Sequence, residues 1–355
     1  MSDSMSSLQV SLAVIGGLTL VAVVAYNYWT SRKNSPRQAE PNREFAPLAQ
    51  EPRLDMEPVS PLREPLEPTM TDDFANLPQP ERKTHLDALI DVIAPIEVDQ
   101  PVSGEAALAA MPVTRRVGTK PFFIEGSVQA GGPWAPLMPG RRYTAFQAGV
   151  QLANRVGALN NIEFSEFVVK TQAFADAVGG TPTFSDMLEE VGRARELDQF
   201  ANVHDALLSF TLYAREAAWS PGYIQQHAAR LGFLPGSMPG RMVLPSATAG
   251  TPAVLSLTFD TQAAMAEDPA LSAIRSFALT LDVPQIARED QAFERLREAA
   301  RSLADNMDGL VTDGGGRVLS EAELDQIGND LRQLYDALDA RELSAGSPQA
   351  RRLFS

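Results

Sequence analysis

Between Ala304 and Gly328 the chain reads ADNMDGLVTDGGGRVLSEAELDQIG, which places Asp305, Asp308 and Asp313 beside a glycine triplet. Acids at short spacing could ligate calcium, and a glycine run could cradle a phosphate. A calcium loop needs oxygen ligands at alternate positions, a glycine at the sixth and a bidentate glutamate at the twelfth. With Asp305 first, Asp308 stands fourth, Gly309 fifth, and the apolar Leu310 and Val311 follow, so the register fails. Neither GxGxxG nor the Walker-type spacing is present, which removes the phosphate loop. What fits is a hairpin: LVTD, a glycine turn, then RVLS. Ser320 and Glu323 then form an S-x-x-E capping box for a last helix with apolar positions Leu324, Ile327, Leu331 and Leu334.

The rest of the chain offers little else for chemistry. His85, His204 and His227 are scattered without metal-ligand spacing, and there is no cysteine. No GxSxG nucleophile motif occurs, and GRMVLPSATAG has the wrong spacing. Glu189 and Glu190 read as solvated helix surface. Trp134 and Trp219 read as strand-end or loop packing, and the tail GSPQARRLFS as a frayed end or a short docking element. A net charge of −15 with no basic cluster in the body argues against nucleic acid. Neither enzyme activity, cofactor nor metal is expected.

The elements that carry these residues come in two similar halves. Phe164–Gly180 aligns without a gap on Phe293–Gly309, with Phe164, Phe167, Thr171, Phe174 and Val178 at the places of Phe293, Leu296, Ala300, Leu303 and Met307. That spacing builds one apolar helix face in each half. Upstream, AFQAGVQLA matches SFALTLDVP and DALIDVIAP matches DALLSFTLYA, all with strand alternation. A helix is expected near Ser103 to Arg116 and a clearer one from Ser220. After Gly180 only TPTF precedes the next helix, so the second half's hairpin is missing or shortened there. The reading is α+β: two units, 84–200 and 201–340, each a sheet backed by helices, with a tail at 341–355.

Ahead of these lies a different kind of sequence. No charge occurs from Ser4 to Ser31, and Leu8 to Trp29 is almost wholly apolar. As a helix those residues rise about 33 Å, enough for a hydrocarbon core of ~30 Å. Residues 1–33 therefore read as an N-terminal transmembrane anchor, with Tyr26, Tyr28 and Trp29 as an interfacial belt. Arg32, Lys33 and Arg37 follow the span, which sets the N-terminus outside and the remainder in the cytoplasm. Residues 34–83 hold ten prolines and no apolar period, and are expected to be a disordered linker.

PAVLSLTFD at 252–260, LDVP at 281–284 and Ala299–Ile327 carry a resemblance. The stretch from about Ala206 to Leu338 resembles the C-terminal domain of the bacterial cell-division ZipA family, and the anchor and linker resemble the rest of that family's layout. The resemblance implies a split β-α-β sheet with helices behind one face, whose free face receives the C-terminal peptide of FtsZ at the bacterial inner membrane. Strand alternation sends Leu208, Phe210, Leu212, Leu255, Leu257, Phe277, Leu279 and Leu281 toward the helices. The open face expected to bind the partner is then Leu207, Ser209, Thr211, Val254, Ser256, Thr258, Ala278 and Thr280, small and polar. The implied function is a division-ring tether; the rival is an anchored scaffold or sensory protein using the same fold for another partner.

Overall fold

A computed structural model describes residues 36–39, 86–129 and 131–355. The expected span at 8–29, and all of the expected linker except 36–39, lie outside the described residues. Among the described residues no helix is long and apolar enough to cross a membrane. The architecture is α+β with antiparallel sheets, and the chain divides into two compact units.

The first unit comprises 86–150 and 165–185 of the described chain. Its strands are β1 (Asp91–Ser103), β2 (Arg116–Val117), β3 (Lys120–Ser127), β4 (Trp134–Pro136), β5 (Arg142–Gln151) and β8 (Gly180–Pro182), in the order β2-β3-β5-β1-β8 with β4 on β3. Ser103 caps the short helix α1 (Gly104–Ala109), accepting from the Ala106 N–H. One sheet face packs on α2 (Asn161–Val178): Phe122 meets Phe167 edge-on at 6.1 Å and Phe146 meets Phe174 at 5.4 Å. Phe167, Thr171 and Phe174 are fully buried, as their helical spacing predicts. β8 runs straight on toward the next helix without a return strand.

The second unit comprises 36–39, 151–164 and 186–355 of the described chain. It holds the small hairpin β6 (Ala153–Asn154) and β7 (Gly157–Ala158), packed on α3 (Met187–His204). Its main sheet contains β9 (Leu207–Ala214), β10 (Leu234–Pro235), β11 (Arg241–Leu244), β12 (Leu255–Thr258), β13 (Ser276–Asp282) and β14 (Gly309–Thr312), ordered β10-β11-β12-β13-β9-β14. Its helices are α4 (Pro221–Arg230), α5 (Thr261–Ala264), α6 (Ala292–Met307), α7 (Glu321–Ala340) and α8 (Pro348–Leu353). Both main sheets thus place their own first strand between their last two, a split β-α-β order.

Apolar alternation fixes which side of this sheet the helices cover. Phe210, Leu212, Leu255, Leu257, Phe277, Leu279 and Leu281 are all buried, and Phe293, Leu296, Ala300, Leu303 and Met307 on α6 are buried opposite them. Phe210 and Phe293 meet edge-on at 6.5 Å. α7 lies close on α6, since a Cβ at Gly328 would come within 3.2 Å of the Phe293 ring. Ser320 and Glu323 make the expected reciprocal capping box at the start of α7.

The tail is not frayed. Ser347 caps α8, and Leu353 and Phe354 are fully buried. The Gln285 amide donates to the Phe354 carbonyl at 2.7 Å and the Gln151 amide to Arg352 at 2.8 Å. An amphipathic turn with two buried apolar residues has enough area to hold itself down.

Candidate functional site: an open sheet face

The helix-free face of the second sheet is built by register. Ser256 lies opposite Thr280, and Thr280 opposite Ser209; Thr258 lies opposite Ala278, and Ala278 opposite Thr211. Leu207 ends the face opposite Asp282. Seven of the eight expected residues, Leu207, Ser209, Thr211, Ser256, Thr258, Ala278 and Thr280, therefore come together on one surface. Ser209 and Thr258 are exposed and Thr211, Ser256, Ala278 and Thr280 half-buried. The Ser256 and Thr280 hydroxyls bond each other at 2.8 Å, which satisfies them without a ligand.

Val254 does not join them. It sits in a bend one residue before β12, only 1% exposed, with its N–H donating to the Leu244 carbonyl at 2.8 Å. Alternation applies only inside the ladder, and here the strand begins one residue later than expected.

The register also adds residues that the alternation argument missed. Val243 pairs with Ser256 and Leu234 with Val243, extending the upper row, and Leu310 and Ser276 flank Tyr213 lower down. Leu207 is 64% exposed, Leu234 54% and Tyr213 41%. The face is thus a small polar centre with apolar residues at its corners, not a uniformly polar surface. Its available signal in the sequence was RMVL, whose Met242 is buried and whose Val243 points the other way.

One end of the face is held by Arg155, at the tip of the β6–β7 hairpin. Its guanidinium reaches Asp205 at 2.8 and 2.6 Å and Asp282 at 2.8 and 2.7 Å. Those bonds, to Asp282 first and Asp205 second, raise the Arg155 pKa well above its ordinary value. Two carboxylates on one forked cation fix the hairpin to the ends of β9 and β13.

The corresponding face of the first sheet is covered by its own chain at Gly149. Leu86, 6% exposed, lies over Gly149, where an added Cβ would meet its side chain at 2.4 Å. The Leu86 N–H reaches Glu125 at 3.4 Å, and Glu125 accepts from Gln147 at 2.9 Å. Both Glu125 and Gln147 are buried.

The opening stretch is architecture. Asp313 accepts from the Gly315 and Arg317 N–H groups, each at 2.9 Å, and Gly316 takes φ 81°, closing the hairpin between β14 and Val318. These backbone bonds, that from Arg317 first, hold the Asp313 carboxyl below its ordinary range. A cleft of ≈ 290 Å³ opens between this hairpin and α6, rimmed by Arg297, Arg301 and Glu321. Both arginines are engaged by Glu321, and Arg297 also by Asp325 at 2.7 Å. Among the described residues no group of His, Asp and Glu could hold a metal ion.

Part of the sheet that carries this face falls within a family match. Residues 259–330 match the family described as ZipA, C-terminal FtsZ-binding domain. The match spans β13, α6, β14 and the first half of α7, inside the stretch on which the resemblance to ZipA rests. The similarity to the ZipA family is carried by this segment, about a fifth of the chain. A search of curated proteins finds no match to the chain. The ZipA match contributes Ser276, Ala278, Thr280 and Leu310 to the open face; β9 to β12, with the other face residues, lie before it.

Proposed function

We propose that the protein is a non-enzymatic tether of the bacterial division ring that binds the C-terminal tail of FtsZ on the open face of the second sheet. The observation that supports this reading is that the ZipA match includes β13 and β14 of the second sheet, whose helix-free face is not covered by Leu86 as the first sheet is at Gly149. An extended peptide laid on that face would cover Leu207, Tyr213, Leu234, Val243 and Leu310, and each Å² of apolar surface it removes from water contributes about 25 cal/mol. With a polar centre between the corners a single contact is weak, and clustering of copies on a surface strengthens it. The apolar span at 8–29 and the basic residues after it support anchoring in the inner membrane, with the N-terminus periplasmic and both units cytoplasmic.

The test is binding of a fluorescent FtsZ tail peptide to the full chain in lipid nanodiscs. Tyr213→Ala should weaken binding by about tenfold, equivalent to ~1.4 kcal/mol. No binding to the wild-type chain, even at high density on vesicles, would remove the FtsZ assignment. The polar centre formed by Ser209, Ser256 and Thr280 favours a second reading, a scaffold for a different partner. Depletion separates them: filamentous cells with unconstricted rings mark the division role, and normal cell length marks the rival.

A further inference from the structure

Residues 36–39 follow the expected membrane span directly, yet they are built into the second unit. Arg37 pairs in parallel with Trp219: its N–H donates to the Ala218 carbonyl at 2.7 Å, and its carbonyl accepts from the Ser220 N–H at 2.9 Å. The guanidinium reaches Asp308 at 3.0 Å and the Met307 carbonyl at 3.2 Å, at the C-terminal end of α6. Gln38 donates to the Ala270 carbonyl at 3.4 Å, and Ala39 lies beside Gly222. The receiving notch is built on Trp219. Trp219 is fully buried, its indole N–H donates to the Met307 carbonyl at 2.9 Å, and its ring lies 5.3 Å from Phe277.

From this geometry we infer that Pro36–Ala39 is a docking strand that the second unit holds in cis, and that docking switches the unit between a short and a long reach from the membrane. The recognition chemistry is a β-type backbone pair plus one arginine read by a carboxylate and a helix-terminal carbonyl. Docked, the path from the span to this unit is only residues 30–36, at most about 25 Å when extended. Released, the path runs through the whole Pro-rich stretch, about 40 Å for a coil and up to ~150 Å if it is held near polyproline II. The docking half of the inference rests on the contacts alone; the reach half rests on the proposed anchor.

Because the chain contains no cysteine, an engineered pair reports docking cleanly. A Cβ at Gly222 would stand 3.7 Å from that of Ala39, which matches the mean disulfide spacing of about 3.8 Å. In the full chain, Ala39→Cys with Gly222→Cys should cross-link under mild oxidation at least tenfold faster than Ala39→Cys with Gln326→Cys. Adding Arg37→Glu should slow it severalfold. Equal rates for the two pairs would overturn the docking strand. Reach is read separately, by energy transfer from a dye on Gln326→Cys to an acceptor lipid in vesicles, which Arg37→Glu should lower at least twofold. Fast cross-linking with unchanged transfer would retain the strand and overturn the reach switch. Neither readout uses FtsZ, so their failure is distinct from failure of the tail-binding test.

Discussion

Replacing Arg155 by alanine removes four charge-assisted bonds in one step and leaves Asp205 and Asp282 facing each other. In a buried setting such bonds contribute about 1.5–3 kcal/mol each. Here Arg155, Asp205 and Asp282 are 33, 28 and 29% exposed, so solvent screening brings the whole network to about 2 kcal/mol. Repulsion adds to this. Asp205 and Asp282 each touch the same nitrogen, at 2.6 and 2.7 Å, so their oxygens lie no more than about 5 Å apart. Two unit charges at that distance repel by about 1 kcal/mol in water and about 3 at an effective dielectric constant of 20. Arg155→Ala should therefore cost about 3–5 kcal/mol in urea unfolding followed by a probe on the second unit. Adding Asp282→Asn should restore about 1–3 kcal/mol by deleting the repulsion, and 1 M salt should restore part of it. A loss below about 0.5 kcal/mol, or no recovery on adding Asp282→Asn, would refute the clamp.

Gly346 takes φ 76°, and a Cβ there would come within 2.4 Å of the Ala287 backbone nitrogen, so Gly346→Ala should cost more than about 2 kcal/mol in thermal unfolding. Phe354 is fully buried, and Phe354→Ala should lower stability by about 3–5 kcal/mol, whereas a frayed tail would give no change in the unfolding midpoint. Ser320→Ala should cost about 1 kcal/mol of cap stability. Its partner Glu323 has a pKa lowered first by the Ser320 N–H, so the cap contributes fully above the ordinary carboxylate value. That contribution is lost as pH falls from the ordinary value through the depressed one, and helix α7 amide exchange followed through acid titration should quicken over that window in the wild type but not in Glu323→Gln.

Local pattern revealed much of this fold. The α6 stripe, the capping box at Ser320 and the alternation along β9 and β13 are properties of consecutive residues, and each appears where its period puts it. β10 and β11 escaped because two- and four-residue strands flanked by glycine and proline are too short to display a period, and with them went Leu234 and Val243. Ser347 before Pro348 is a helix-start signal for α8, so the buried tail was legible in principle. Arg155 gave no such sign. Its partners stand 50 and 127 residues away, and no local pattern pairs a hairpin arginine with them. The same holds for Arg37 and Asp308, separated by 271 residues.

The covering of Gly149 by Leu86 bears on stoichiometry. A chain with two related sheets could be taken for a bivalent receptor, but under the proposed tail-binding reading Leu86 blocks the first sheet at Gly149, and one seat per molecule is expected. A titration in solution should saturate at one ligand per chain with a simple hyperbola. If the proposed anchor holds the chain on a bilayer, any steepness seen there would report the packing density of molecules in its plane and not a second seat on each chain.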